Sequence, residues 1–69
     1  MELQYKGCDI NINLLGVKDG FIYYEFAIMT HKSNKSEDYQ FEDKVKYTND
    51  EEAIRHIYTQ AQEWIDNHL

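Results

Sequence analysis

Thr48-Asn49-Asp50-Glu51-Glu52-Ala53-Ile54-Arg55-His56-Ile57-Tyr58-Thr59-Gln60-Ala61-Gln62-Glu63-Trp64-Ile65-Asp66-Asn67-His68-Leu69 is the stretch that decides the fold. Its apolar residues are Ala53, Ile54, Ile57, Tyr58, Ala61, Trp64, Ile65 and Leu69. They recur at i, i+3, i+4 and i+7, which places them in one stripe on a helix with one buried face. The reading is a helix over about residues 49–68. Thr48-Asn49-Asp50-Glu51 fits a capping box, in which the Thr48 hydroxyl and the Glu51 side chain each satisfy a free backbone N–H. Asp50, Glu51 and Glu52 also suit the positive end of the helix dipole. Trp64 is the largest apolar side chain of the stripe and is expected in the core.

Working outward from the helix, everything before it reads as strands. Cys8, Ile10, Ile12 and Leu14 alternate with Asp9, Asn11 and Asn13, the period-2 signature of a half-buried strand. This first strand is expected over about residues 3–14. Leu3 and Tyr5 have the opposite parity, and a bulge at Lys6-Gly7 would return them to the same face. Gly16-Val17-Lys18-Asp19-Gly20 reads as a hairpin loop. A second strand follows over about 21–32, with Ile22, Tyr24, Phe26 and Ile28 on one face. Ser33-Asn34-Lys35-Ser36-Glu37-Asp38 reads as another turn. A third strand, about 38–47, carries Tyr39, Phe41, Val45 and Tyr47 on one parity. Asp43 shares that apolar parity, so the strand either bends there or runs past the helix's cover, because a buried unpaired carboxylate is costly.

The expected architecture is one α+β domain over residues 1–69: a three-stranded antiparallel meander, β1-β2-β3, with one C-terminal amphipathic helix on one face. The helix is expected to cover Ile10, Ile12, Tyr24, Phe26, Ile28 and Phe41. A single helix leaves the other sheet face bare. That face carries Phe21, Tyr23, Glu25, Ala27, Met29 and His31, a set too apolar for an ordinary solvent face.

Composition narrows the function classes. A chain of 69 residues buries only roughly 60% of its unfolded surface and gains much from disulfides, metals or self-association. A lone cysteine, Cys8, excludes an internal disulfide and fits a reducing compartment. Met1-Glu2-Leu3-Gln4 lacks the basic region of a signal peptide, and no apolar run reaches the length that crosses a bilayer. The expectation is a cytoplasmic protein. Thirteen acidic against seven basic residues give a net charge of −6. This argues against a non-specific hold on nucleic acid and against an anionic membrane. The surplus of carboxylates is first a solubility device.

Candidate chemistry is sparse. His31, His56 and His68 show no zinc-ligand spacing, and no cofactor motif is present. Cys8, on a core-facing position, reads as a small buried hydrophobe rather than a nucleophile. Asp43 is the one carboxylate whose position hints at a tuned acid or base, though a carboxylate there more often accepts backbone N–H bonds. Phe21 and Tyr23 resemble base-stacking positions but lie beside Glu25, Asp9 and Asn11, with only Lys44 and Lys46 as bases. Aromatics and Met together fit a protein interface better.

Tyr5-Lys6-Gly7, then Ile10 and Ile12, a glycine hairpin, and the closing Glu52-Ala53, Ala61 and Trp64-Ile65-Asp66 form a pattern over most of the chain. It resembles short bacterial proteins of largely unknown function, including those described as haemolysin-regulator-like. In these a Tyr-Lys-Gly strand opens the chain and an Ala-rich helix ending in Ile-Asp closes it. The resemblance implies a fold and transfers no catalytic residue.

The sequence therefore points to a non-enzymatic interaction module whose partner is a second copy of itself or another protein. Phe21, Tyr23, Ala27 and Met29 form its expected interface, with an edge strand as the other route to self-association. A second reading uses Glu37, Asp38, Glu42, Asp50, Glu51 and Glu52 as an acidic surface. It would act as a phage-type inhibitor that mimics nucleic acid toward a basic enzyme of a defence system. A third is a small enzyme built on Asp43.

Overall fold

The computed structural model describes residues 1–32 and 35–69. Four strands and a helix follow one another: β1 (Glu2–Tyr5), β2 (Cys8–Lys18), β3 (Phe21–Lys32), β4 (Lys35–Lys46) and α1 (Asp50–His68). The sheet is an antiparallel meander in the order β1-β2-β3-β4. The α+β class, the antiparallel sheet and the C-terminal helix stand as expected. The strand number does not: there are four strands rather than three.

The extra strand comes from Lys6-Gly7. Tyr5 pairs directly with Cys8, so these two residues are a complete hairpin loop and not a bulge. Both have left-handed backbone, with φ of 49° at Lys6 and 79° at Gly7, the geometry a two-residue hairpin turn needs. The turn puts Leu3 and Tyr5 on the same face as Cys8 and Ile10, where a bulge was expected to do so. The same device closes the next hairpin. Lys18 pairs with Phe21, and Asp19 and Gly20 turn the chain at φ 54° and 82°. The loop expected over 16–20 is thus only its last two residues. Gly16 instead belongs to a bulge, where the register shifts between Leu14 and Gly16.

The third connection was expected over 33–38. Ser33 and Asn34 lie outside the described residues, and β4 already begins at Lys35. Its register with β3 runs unbroken from Lys32–Lys35 to Phe21–Lys46. There is consequently no bulge at Asp43, which is exposed on the helix side of the sheet. Its Oδ1 accepts the Lys44 backbone N–H at 2.8 Å.

The helix is capped by Asn49, one residue later than expected. Asn49 has extended backbone, and its Oδ1 accepts the Glu52 N–H at 2.9 Å. Asn49 leaves the Glu52 carboxylate, not that of Glu51, at the third helical position. Ala53, Ile57, Ala61 and Ile65 are the buried stripe. Ile57, Ala61 and Ile65 pack on Cys8, Ile10, Ile12, Tyr24, Phe26 and Ile28. Trp64 is not at the centre. It is half-buried at the margin, against Tyr39 and Phe41 of β4, at ring-centroid distances of 4.7 and 5.4 Å. The largest fully buried side chain is Tyr24, whose hydroxyl donates to Gln60 Oε1 at 2.8 Å. Phe41 is likewise only partly buried. No helix among the described residues is long and apolar enough to cross a membrane.

Candidate protein-interaction site

Because side chains alternate along a strand, the burial of Ile22, Tyr24, Phe26, Ile28 and Thr30 turns Phe21, Tyr23, Glu25, Ala27, Met29 and His31 to the face without a helix. Phe21 and Tyr23 are each 38% exposed and Met29 is 39% exposed; Ala27 is half-buried. All four residues of the expected interface therefore share one face. They do not form one patch, because Glu25 separates the aromatic pair from Ala27 and Met29.

The register gives each of them neighbours. Phe21 lies between Lys18 and Lys46, and Tyr23 between Gly16 and Lys44. The Lys44 Nζ sits 4.9 Å from the Phe21 ring centre and 5.7 Å from that of Tyr23. A cation over two ring faces is favourable, and it accounts for part of their cover. Toward the other end, Ala27 lies between Asn11 and Gln40, and Met29 between Asp9 and Asp38. Glu25 stands directly opposite Glu42, a like-charge cross-strand pair that opposes sheet formation. Asn13 Nδ2 donates to Glu25 Oε1 at 3.3 Å.

The open face is thus charge-divided. One end carries Lys18, Lys44 and Lys46 around the aromatics. The remainder forms a shallow groove whose lining includes Glu2, Asp9, Glu25, Asp38 and Glu42 and, among the described residues, no lysine or arginine. Asp9 is held below its ordinary value by the hydrogen bond from His31, with a second from Gln4; the His31 Nε2 to Asp9 Oδ2 distance is 2.7 Å.

The six carboxylates expected to form an acidic surface are dispersed. Glu37 has the helix-side parity of β4, where Tyr39 donates to it, whereas Asp38 and Glu42 face the open side. Asp50 accepts from Tyr47 at 3.1 Å. Glu51 and Glu52 lie within ion-pair range of Arg55, at 3.4 and 3.8 Å. Cys8 faces the core and His31 the open side, so they do not meet. His68 stacks on Trp64 at 4.6 Å between ring centres. Among the described residues no three His, Cys, Asp or Glu side chains are placed to hold a metal ion.

One cluster went unrecognised in the sequence. Asp66, near the end of α1, accepts from the Tyr5 hydroxyl at 3.1 Å and pairs with Lys6 Nζ at 2.7 Å. Tyr58 donates to the Gln4 carbonyl at 2.8 Å and meets the Tyr5 ring edge-on. Lys6 holds the Asp66 carboxyl below its ordinary value, and Asp66 raises the Lys6 ammonium. Tyr5, Lys6 and Asp66, three residues of the Tyr-Lys-Gly and Ile-Asp pattern, are one clamp between the β1–β2 turn and the helix end. The signal that pointed there was their joint presence at the two ends of the chain. No family model, no curated protein and no solved structure matches this chain.

Proposed function

We propose that this protein is a non-enzymatic, cytoplasmic interaction module that associates with itself through its open sheet face. The observation that carries the reading is the exposure of Phe21, Tyr23 and Met29 on a face that α1 does not cover. Aromatic and Met side chains there have more to gain from a protein surface than from water. The sheet's two edges, β1 and β4, are the weaker route, and β1 is only four residues long. β4 carries Lys35, Glu37, Asp38, Glu42, Asp43, Lys44 and Lys46 in its twelve residues, and charges along an edge strand oppose strand-to-strand addition. Light scattering over a range of concentrations tests the reading. The wild type gains mass with concentration, and Tyr23→Glu stays monomeric and folded. A wild type monomeric throughout contradicts it.

A second reading is favoured by the acidic groove. In it, Asp38 and Glu42 of the acidic set first expected are joined by Glu2, Asp9 and Glu25 and meet a basic protein. Such a complex weakens steeply as salt rises, and binding indifferent to salt argues against it.

A further inference from the structure

We infer that the partner copy lies face to face and reversed in strand direction, about a two-fold axis crossing β3 at Glu25. The inference rests on the self-association proposed above and adds its geometry. In the aligned mode of sheet packing the strands of the two sheets keep within about 30° of a common line, and in that mode the second copy's strands run either with or against the first. Running with, the two-fold reverses the strand order over β3, so Lys18 faces the second copy's Lys46 and Asp9 faces its Asp38, like charge against like charge. Running against, the rotation axis lies in the interface plane and perpendicular to the strands, and each cross-strand row meets the row equally far on the other side of Glu25.

The register then decides which residues face each other. Phe21 meets the second copy's Met29, and Tyr23 meets its Ala27. All four apolar residues of the face are used, each against another. The row of Phe21 contains Lys18 and Lys46, and the row of Met29 contains Asp9 and Asp38. Lys18 therefore faces Asp9 on the same strand of the second copy, and Lys46 faces Asp38. Each of these pairs occurs twice, because the interface of a two-fold dimer is the same patch on both subunits. The cost falls on the axis, where Glu25 and Glu42 meet their own copies. Lys44, one row away, is the cation available to them. Complementary charge at such positions fixes orientation more than it adds affinity.

Lys46 and Asp38 make the test clean, since both are exposed on β4 and no side-chain bond within the protomer holds either among the described residues. Dimer dissociation is measured by sedimentation for wild type, Lys46→Glu, Asp38→Lys, the double variant, and a mixture of the two single variants. The expected result is a roughly tenfold weaker dimer for each single reversal. The double variant returns to near the wild-type value, and the mixture forms a heterodimer in preference to either homodimer. Glu25→Gln tightens the dimer. Single reversals that leave a wild-type dimer unchanged overturn the crossing while self-association stands. So do reversals that neither the double variant nor the mixture rescues. A wild type that never dimerises overturns the reading beneath it.

Discussion

Strand β3 (Phe21–Lys32) is two different surfaces made from consecutive residues. Its even positions, Ile22, Tyr24, Phe26, Ile28 and Thr30, are buried. Its odd positions, from Phe21 to His31, look away from α1. The difference between Ile28 and Met29 is not hydrophobicity but whether a helix lies over them. The covered side is committed within the protomer, through Tyr24 and Phe26 stacked at 6.2 Å and Phe26 and Phe41 at 4.8 Å. The open side keeps the same class of side chain in reserve and surrounds it with charge.

Neighbouring substitutions break this comparison most sharply. Ile28→Ala removes a fully buried side chain and should cost about 2–5 kcal/mol of monomer stability in a denaturant melt. Met29→Ala, next to it, should cost no more than about 0.5 kcal/mol in the monomer while weakening self-association. Equal losses of monomer stability at the two positions would erase the distinction between faces. Trp64→Ala should fall below Ile28→Ala, at about 1–3 kcal/mol, because its ring is half-buried and leaves an open notch rather than a closed cavity. A folded, cooperative melt is expected for it.

The meander, the helix and the parity of every core strand residue were legible in the sequence, because alternation at period 2 and recurrence at period 3.6 report burial directly. The extra strand was not. A Lys-Gly pair inside a period-2 pattern fits either a bulge or a two-residue turn, and both return Leu3 and Tyr5 to the core side. Only pairing between Tyr5 and Cys8 distinguishes them. Trp64 was misplaced for a related reason: helical periodicity fixes a residue's direction but not how far the sheet beneath it extends, and Trp64 points toward the margin at β4. The four apolar residues of the open face, with Glu25 between them, were visible; their lysine and aspartate neighbours depend on register, which tight turns set and composition does not reveal.

Smaller effects refine the account at the ends of the helix. Asn49→Ala should cost about 1 kcal/mol by freeing the Glu52 N–H, and Thr48→Ala should cost less. The reverse order would restore Thr48 as the cap. At the other end, Asp66 titrates below its ordinary value of 3.8 and Lys6 above its ordinary value of 10.5. The carboxylate's contribution is present above the unfolded value and is lost as pH falls through the lowered native one. The ammonium's is present below its unfolded value and is lost as pH rises through the raised one. Melting temperature should therefore hold from neutral pH to weak acid and fall as pH drops below about 4. Asp66→Asn should flatten that acid limb in part, although Asp9, held low by His31, contributes to the same limb.

The chain's two methionines, Met1 and Met29, allow the open face to be watched directly. Met1 is 59% exposed and lies outside the interface, whereas Met29 is 39% exposed and inside it. Oxidation of each by peroxide can be followed by mass spectrometry as protein concentration is raised. Oxidation of Met29 should slow as the second copy covers it, with Met1 unchanged. A Met29 rate that stays constant while light scattering shows the dimer forming would place the interface elsewhere and contradict the account.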